Sequence, residues 1–531
     1  MKPLVTLFVL VLTTFSHVLH AQDIELRWGL PVKKSRVASP TDVLGKDGTG
    51  YYILKADGDV SLEKFDKNMS FLWTKKIDIY LTKKNKTVFE NIIILNNKII
   101  VFSSFYDSKL DTKKLFATHI SQDGVIDTKV YEVNSFDKLT SKNSVVYDVT
   151  ISEKTSSILI FSNFKEKKAE KEQFHYKVID ENFIQKSQAF IELPYTGSNT
   201  TIIDYIIDNA GNIHLIYSVD LRREEVGNKL NDGKIDFNYY IMSYYPATKE
   251  YKEYDMRVGD YLITGISIII DEESRYMYVP GFYSDKKMNA LKGTIISKID
   301  LINKKVVYAK EKEFDPAFLA VVYAKPLDDD DKKKADDSND QKKAKGKEQL
   351  YNYDIIDLFI NEKEEIVLVS EQYYVEAVTY TTTSNGMTTT RTTYYYHYNN
   401  VMVTKFGSEG DRLWCSNIPK YQVTTNDGGF FSSIGVFTYK DVVYIIYNDN
   451  PQNGTTIASK QYRTKSPQKS QLALVSIDGK GELKKRVLMP ALDGGKGIGT
   501  KPKFSTQISD NEVILIGYLS SDYKLGKIEL K

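Results

Sequence analysis

The sequence predicts an all-β protein, and three observations support that fold class. Aromatic residues that favour strands are frequent, with 38 tyrosines and 24 phenylalanines in 531 residues. Short apolar runs alternate with turn-forming Asp, Asn, Gly and Pro along the whole chain. One hairpin-like unit also recurs, most clearly at residues 403–419, where VTKFGSEGDRLWCSNIP reads as a strand, a tight turn and a second strand. Such repetition fixes an architecture before any motif is considered.

Copies of this unit align on the apolar residue that ends the first strand. Polar or turn-forming residues follow in each copy, and then a second strand-like run begins. Further apolar strands lie upstream of most copies, for example at 99–102 and 442–447, so each unit contains about four strands. The aligned residues are Phe65, Ile120, Ile179, Tyr244, Ile299, Phe406 and Ile477.

Units of four strands repeated in this way predict a β-propeller. A partial copy at 504–531 lacks its last strand, and residues 23–30 supply a spare strand near the N-terminus. We therefore expect the N-terminal strand to close the last blade, with Trp28 in the position that Trp73 and Trp414 hold in their copies. Counting the split copy gives eight blades, with seven as the alternative. A single propeller then occupies residues 22–531.

Export is predicted by the first 21 residues, which combine a positive start, a short apolar core and a small residue at the end. No cysteine follows this signal peptide to carry a lipid, and no later run is long enough to span a bilayer. We expect a periplasmic, cell-surface or secreted protein. With 72 basic and 70 acidic residues, the charge balance gives no reason to expect a nucleic-acid partner.

Two insertions lengthen the sixth unit. Residues 328–348 are almost entirely charged or polar and are expected to form a disordered loop in solvent. Residues 373–400 place Asn385-Gly386, a strong turn signal, between runs of Thr and Tyr with high β propensity. They predict a long projecting hairpin whose alternate faces carry threonine and tyrosine.

This projecting hairpin is the predicted binding surface, because tyrosine offers a large rigid contact area and a hydroxyl group at low entropic cost. The alternative is that the hairpin folds back over its own propeller and only stabilises a neighbour. The candidate binding residues are Tyr373, Tyr374, Tyr380, Arg391, Tyr394, Tyr395, Tyr396 and His397.

No catalytic residues, metal site or cofactor can be assigned from motifs. His119, His175, His214 and His397 are not within metal-ligand spacing of one another. The only cysteine, Cys415, cannot form an intramolecular disulfide and is interpreted as a structural thiol.

The unit K-F/I-D-x-x-G-x-x-x-W followed by a short apolar strand resembles the blade ending of quinoprotein-like and other secreted bacterial propellers. The stretch 371–414, which includes EQYYVEAVTYTTTSNGMTTTRTTYYYHYNN, resembles exported propeller proteins of the Bacteroidota. The adjacent-cysteine pair of many quinoprotein dehydrogenases is absent, which argues against a quinone cofactor.

Two hypotheses about function follow. The first is a binding or scaffold module for an envelope protein or a polysaccharide, and it is favoured because no catalytic motif is present. The alternative is a propeller-fold hydrolase or lyase acting on glycans or peptides, with Asp, Glu or His converging on the central channel.

Overall fold

A computed structural model describes most of the chain. The described residues are 24–33, 39–56, 58–152, 155–164, 171–220, 237–285, 290–322, 350–384, 387–458, 461–464, 466–492 and 497–531. The predicted signal peptide, the charged insertion at 328–348 and the Asn385-Gly386 turn lie outside them.

The first half of the described chain forms two N-terminal strands and then four sheets of four antiparallel strands each, numbered sheets 1 to 4. Their strands are β1 (Ile24–Trp28) and β2 (Val32–Lys33); β3 (Pro40–Lys46), β4 (Gly50–Lys55), β5 (Ser61–Asp66) and β6 (Phe71–Lys76) in sheet 1; β7 (Val88–Leu95), β8 (Lys98–Asp107), β9 (Thr112–Ile120) and β10 (Tyr131–Phe136) in sheet 2; β11 (Val145–Ser152), β12 (Ser157–Phe164), β13 (Lys171–Asp180) and β14 (Gln185–Thr196) in sheet 3; and β15 (Thr200–Ile207), β16 (Ile213–Asp220), β17 (Phe237–Tyr245) and β18 (Glu250–Asp255) in sheet 4.

The second half forms sheets 5 to 8 and a short two-stranded pair, β22 with β25, that flanks one helix. Sheet 5 contains β19 (Leu262–Ile266), β20 (Ile269–Asp271), β21 (Tyr276–Ser284), β23 (Gly293–Asp300) and β24 (Lys305–Glu313). The two-stranded pair is β22 (Ala290–Leu291) and β25 (Leu350–Tyr351), and the helix α1 (Pro316–Val322) lies between them in the sequence. The remaining strands are β26 (Tyr353–Ile360), β27 (Ile366–Ser384), β28 (Met387–Phe406), β29 (Arg412–Ile418) and β30 (Gln422–Thr425) in sheet 6; β31 (Gly435–Tyr439), β32 (Val442–Asp449), β33 (Gln471–Ile477) and β34 (Leu483–Met489) in sheet 7; and β35 (Gly499–Thr500), β36 (Thr506–Ser509), β37 (Glu512–Tyr518) and β38 (Asp522–Leu530) in sheet 8.

Apolar clusters lie between each sheet and the next, so every sheet is buried on both faces. One further cluster joins sheet 8 to sheet 1, where Ile516 and Leu525 pack with Tyr51 and Phe65. The sheets therefore close into a ring, which is the architecture of a β-propeller, and the predicted fold class is confirmed. The first strands lie innermost, because β3 contacts both β7 and β36, and β11 contacts both β7 and β15.

Ring closure follows the predicted route. Strand β1 pairs antiparallel with β38 from Ile24 opposite Leu530 to Trp28 opposite Gly526, and it supplies the outer strand of sheet 8. The expected role of Trp28 is wrong, however. Trp28 belongs to the cluster between sheets 7 and 8, whereas Trp73 faces sheet 2 and Trp414 faces sheet 7. Arg27 stands opposite Lys527 in sheet 8, which is the position that Trp73 holds opposite Lys64 in sheet 1. Trp28 is one residue further along, and a shift of one residue turns a side chain to the other face of the sheet.

The repeated turns owe their shape to an aspartate that caps its own backbone. Asp66, Asp180 and Asp478 each accept hydrogen bonds from the amides two and four residues further along the chain, at 2.8–2.9 Å. The turn also needs a left-handed residue, which is Gly410 (φ 83°) in sheet 6 and Gly481 (φ 83°) in sheet 7.

Each of these two glycines lies directly under an aromatic side chain from the preceding sheet. A Cβ atom on Gly481 would lie 2.8 Å from the Trp414 ring, and one on Gly410 would lie 2.5 Å from the Tyr308 ring. The Trp414 indole N–H also donates to the Gly479 carbonyl at 3.0 Å. The aromatic residue that follows the repeat turn therefore docks one sheet onto the next.

The lysine of the repeat signature is buried and paired. Lys64 Nζ lies 2.6 Å from Asp47 Oδ1, with both side chains almost fully buried. Lys405 Nζ lies 2.7 Å from Glu365 and 3.2 Å from Asp441, which belongs to the next sheet. These pairs tie the third strand of a sheet to the turns between first and second strands.

Candidate functional site

The two faces of the ring differ in their connections. The turn face carries the short links between first and second strands and between third and fourth strands of each sheet. The loop face carries the links between second and third strands and the crossings from one sheet to the next. The long connections lie on the loop face, among them the β27–β28 hairpin, residues 450–470 and residues 419–434.

The β27–β28 hairpin extends well beyond sheet 6. Pairing of β26 with β27 ends at Tyr353 opposite Gln372, and β30 pairs with β28 only at Tyr395–Tyr398. The two long strands nevertheless continue to pair with each other as far as Ser384 opposite Met387. We call the extended part, β27 from Val375 to Ser384 and β28 from Met387 to Tyr396, the arm.

At the base of the arm, the two strands of the hairpin pack on each other. Tyr374 stacks on His397 with ring centroids 4.3 Å apart, and Tyr373 packs on Tyr398 at 4.6 Å. His397 is buried, and its Nε2 atom lies 3.6 Å from a Glu376 carboxylate oxygen. These contacts join β27 to β28 and stiffen the hairpin where it leaves sheet 6.

The expected division of the arm into a threonine face and a tyrosine face is wrong. The strand register places Tyr374, Tyr380 and Tyr395 on one face and Tyr373, Tyr394 and Tyr396 on the other. Tyrosines instead concentrate near the base and threonines near the tip, on both faces. The threonines form cross-strand pairs, with hydroxyl oxygens 3.0 Å apart in Thr379–Thr392 and 3.4 Å apart in Thr381–Thr390.

The predicted binding residues therefore fall into two groups. Tyr380 and Tyr394 are 55% and 45% exposed, and Arg391, which stands opposite Tyr380, is also exposed. The other members are half-buried or buried at the base and position the arm: Tyr373, Tyr374, Tyr395, Tyr396 and His397.

A buried polar network lies beneath the arm and was not predicted from the sequence. Lys420 Nζ lies 2.6 Å from Glu371 and donates to the Tyr398 carbonyl at 2.7 Å, while Ser433 donates to the other Glu371 oxygen. Burial lowers the pKa of Lys420, and the Glu371 charge opposes that shift. The network fixes the point where β28 leaves sheet 6. Glu371 lies on β27, and Lys420 and Ser433 lie near opposite ends of the 419–434 connection, so no local sequence pattern predicts the network.

Carboxylates on the innermost strands face the channel. The strand register shifts by one residue just before Asp204 and Asp357, and each carboxylate accepts from the next amide at 2.8 Å. Asp148 makes the same bond without a register shift. Burial raises the pKa of Asp357 to about 6 and also raises the pKa of Asp204, to which the Asp148 charge adds. Extending the repeat alignment upstream would have revealed this recurring acidic position.

The remaining histidines have structural roles. His214 is fully buried, with Nδ1 2.8 Å from Ser243 Oγ and Nε2 3.3 Å from Asp208, which also pairs with Arg275 of sheet 5 at 2.6 Å. The residue types match a catalytic triad, but no substrate can reach them. His119 stacks on Phe183 with ring centroids 4.6 Å apart.

His175 and Cys415 are likewise placed as structural groups. Burial lowers the pKa of His175 to about 4, so the ring is neutral at pH 7. Burial also raises the pKa of the Cys415 thiol to about 11, which disfavours the nucleophilic thiolate.

Among the described residues, no group of three or more His, Cys, Asp or Glu side chains is placed to hold a metal ion. Within the same ranges, no helix has the length and apolar character needed to cross a bilayer. A groove of about 630 Å³ opens on the turn face between sheets 6 and 7, with an apolar floor and a charged rim. It is lined by Phe359, Asn361, Lys363, Lys440, Asp441 and Asp510.

Comparisons with known proteins give only distant likenesses. No family model matches the sequence, and no curated protein matches it. The polysaccharide lyase Uly1 is 11% identical, with 95% of this chain and 100% of that chain covered and a TM-score of 0.38. A PL25 ulvan lyase bound to -[GlcA(1-4)Rha3S]- is 9% identical, with 87% and 96% covered and a TM-score of 0.38.

A protein of unknown function from Bacteroides caccae is 9% identical, with 71% of this chain and 94% of that chain covered and a TM-score of 0.28. All three TM-scores lie below 0.5. None of these likenesses therefore carries an argument about function, and the assignment of the propeller fold rests on the sheets themselves.

Proposed function

We propose that this propeller is an exported binding or scaffold module whose arm contacts an envelope protein or a polysaccharide. The observation that carries the proposal is that both faces of the arm expose a tyrosine: Tyr380 (55% exposed) stands beside Arg391 on one face, and Tyr394 (45% exposed) lies on the other. Tyrosine and arginine are the side chains most enriched at binding hot spots. The apolar N-terminal stretch supports export to the periplasm or the cell surface.

The arrangement disfavours the alternative in which the arm only stabilises its own propeller. None of the apolar clusters among the described residues includes a residue of the arm. Tyr380 and Tyr394 instead leave a large aromatic side chain available to a partner on each face of a projecting element.

The test compares the triple variant Tyr380→Ser, Arg391→Ser, Tyr394→Ser with the wild-type chain for binding to envelope proteins and envelope polysaccharides. Removing hot-spot side chains should weaken binding by about tenfold or more. Tyr251→Ser is the matched control, because Tyr251 is 53% exposed on the outer strand of sheet 4. Equal binding by the triple variant and the wild type would overturn the proposal.

A second candidate, a hydrolase or lyase acting on glycans or peptides, is favoured by one observation. Asp148 and Asp204 converge on the channel from neighbouring sheets, and burial and the Asp148 charge raise the pKa of Asp204. A carboxyl group whose pKa is raised beside a second carboxylate is one arrangement that general acid–base catalysis uses. Asp148→Asn and Asp204→Asn should each abolish turnover in a glycan and peptide screen. A wild-type chain that cleaves nothing in the screen would overturn this candidate function.

A further inference from the structure

The outer edge of β27 in the arm carries hydrogen-bonding groups of the backbone. Ser384 stands opposite Met387 in the register, and residues that flank a two-residue hairpin connection bond to each other. Alternation along an antiparallel pair then turns the N–H and C=O groups of residues 375, 377, 379 and 381 away from β28.

Two observed bonds confirm this alternation. Tyr373 N–H donates outward to the Asn352 carbonyl at 2.8 Å, and Asn426 N–H donates to the outward Tyr394 carbonyl at 2.9 Å. Beyond Tyr373, no strand of the described chain pairs with the outer edge of β27.

Apart from the single charge of Glu376, this edge lacks the features that prevent strands from pairing. It contains no proline or lysine, and no register shift occurs between Tyr373 and Ser384. Natural proteins normally protect exposed edges with such features, because an unprotected edge recruits another strand. A ribbon of only two strands is also marginally stable in water. On the other side of the ribbon, β30 already adds a strand to β28 near the base.

We propose that the outer edge of β27 pairs antiparallel with the same edge of a second copy of this chain. The pairing is self-complementary when position 377 of each copy stands opposite position 383 of the other, which places the two Tyr380 residues opposite each other. Cross-strand aromatic pairs stabilise sheets. The two Glu376 side chains then lie eight residues apart, about 27 Å at 3.4 Å per residue, and their repulsion is screened at physiological salt.

The resulting four-stranded sheet is isologous and places the exposed faces of both arms side by side. The evenly spaced backbone groups of the edge match an extended polypeptide rather than a glycan. The inference concerns the edge of the arm, whereas the proposed function concerns its faces, so each can be tested and rejected independently of the other.

The first test is analytical ultracentrifugation of the pure mature chain over a wide concentration range, without any ligand. The wild type should show a concentration-dependent dimer. Thr379→Pro with Thr381→Pro removes only outward amides and should give monomers. Thr390→Pro with Thr392→Pro removes outward amides from β28 and breaks the same two threonine pairs, so it should remain dimeric.

The second test is disulfide trapping in a Cys415→Ser background, where no other cysteine remains. Tyr380→Cys should form a cross-linked dimer on oxidation, and Thr393→Cys, on the same face but on β28, should not. A wild-type chain that stays monomeric at every concentration would overturn the inference. Equal loss of the dimer in both proline variants, or equal cross-linking at both cysteines, would overturn it as well.

Discussion

Polar and aromatic groups are paired or packed on the turn face, whereas several of them are exposed on the arm. On the turn face, Asp478 caps its own backbone, Gly481 lies under Trp414, and Lys64 pairs with Asp47 in the interior. The arm instead exposes Tyr380 and leaves the outer edge of β27 without a strand from the described chain. From this contrast we expect contacts between neighbouring sheets to hold the ring together and the arm to add little to its stability.

The largest effect should come from breaking a buried ion pair of the turn face. Lys64→Met leaves the Asp47 carboxylate buried without its cation, and removing one partner of such a pair costs about 3–5 kcal/mol. Urea unfolding of the wild type and the variant measures the difference in the free energy of unfolding. Arg27→Met is the control, because Arg27 pairs with Glu25 at the surface and its loss should leave stability unchanged.

A smaller loss is expected where sheets 6 and 7 dock. Gly481→Ala places a Cβ atom against Trp414 and in a left-handed conformation, which together should cost about 2–3 kcal/mol. Gly211→Ala is the matched control, since Gly211 has a similar φ of 80° and no atom within 4 Å of the new Cβ. If both variants lose the same stability, the aromatic docking contributes nothing.

Replacing the channel carboxylate Asp357 should increase the stability of the chain, in contrast to the two substitutions above. The pKa of Asp357 is raised to about 6 in the folded chain, against about 3.9 when unfolded. The folded state therefore binds the proton more tightly, and its stability falls as pH rises from about 4 to 6. Asp357→Asn keeps an acceptor for Leu358 N–H and should stabilise the chain by about 1 kcal/mol at pH 7, a value reduced for screening in the channel.

Thermal unfolding at pH 7 and pH 4 checks this expectation. The advantage of Asp357→Asn should be much smaller at pH 4, where the wild-type carboxyl is protonated in the folded chain and about half protonated in the unfolded chain. An equal melting temperature at pH 7 would show that water in the channel solvates the carboxylate fully.

The sequence predicts the ring well because its signals are local and repeated. Asp66 and Gly410 mark turns that can be recognised within a few residues, and the strand at Ile24–Trp28 was expected to close the ring. The direction of Trp28 was missed because a shift of one residue in the register leaves no trace in composition.

The candidate site was harder to predict than the ring. Tyr380 and Arg391 could be proposed from composition and the turn signal alone. The burial of His397 and the pairing of Lys420 with Glu371 depend on loops that are distant in sequence. Only the structure therefore distinguishes the buried residues at the base of the arm from the exposed residues further along it.

The most direct test of the account replaces residues 379–392 with Asn-Gly. Val378 then pairs with Thr393 beside the new turn, at a position whose backbone already faces the partner strand. Unfolding in urea and binding to envelope proteins and polysaccharides are measured on the same preparation. We predict a change of less than about 0.5 kcal/mol in the free energy of unfolding together with loss of binding. A large loss of stability, or binding equal to that of the wild type, would contradict the claim that the arm is a contact surface.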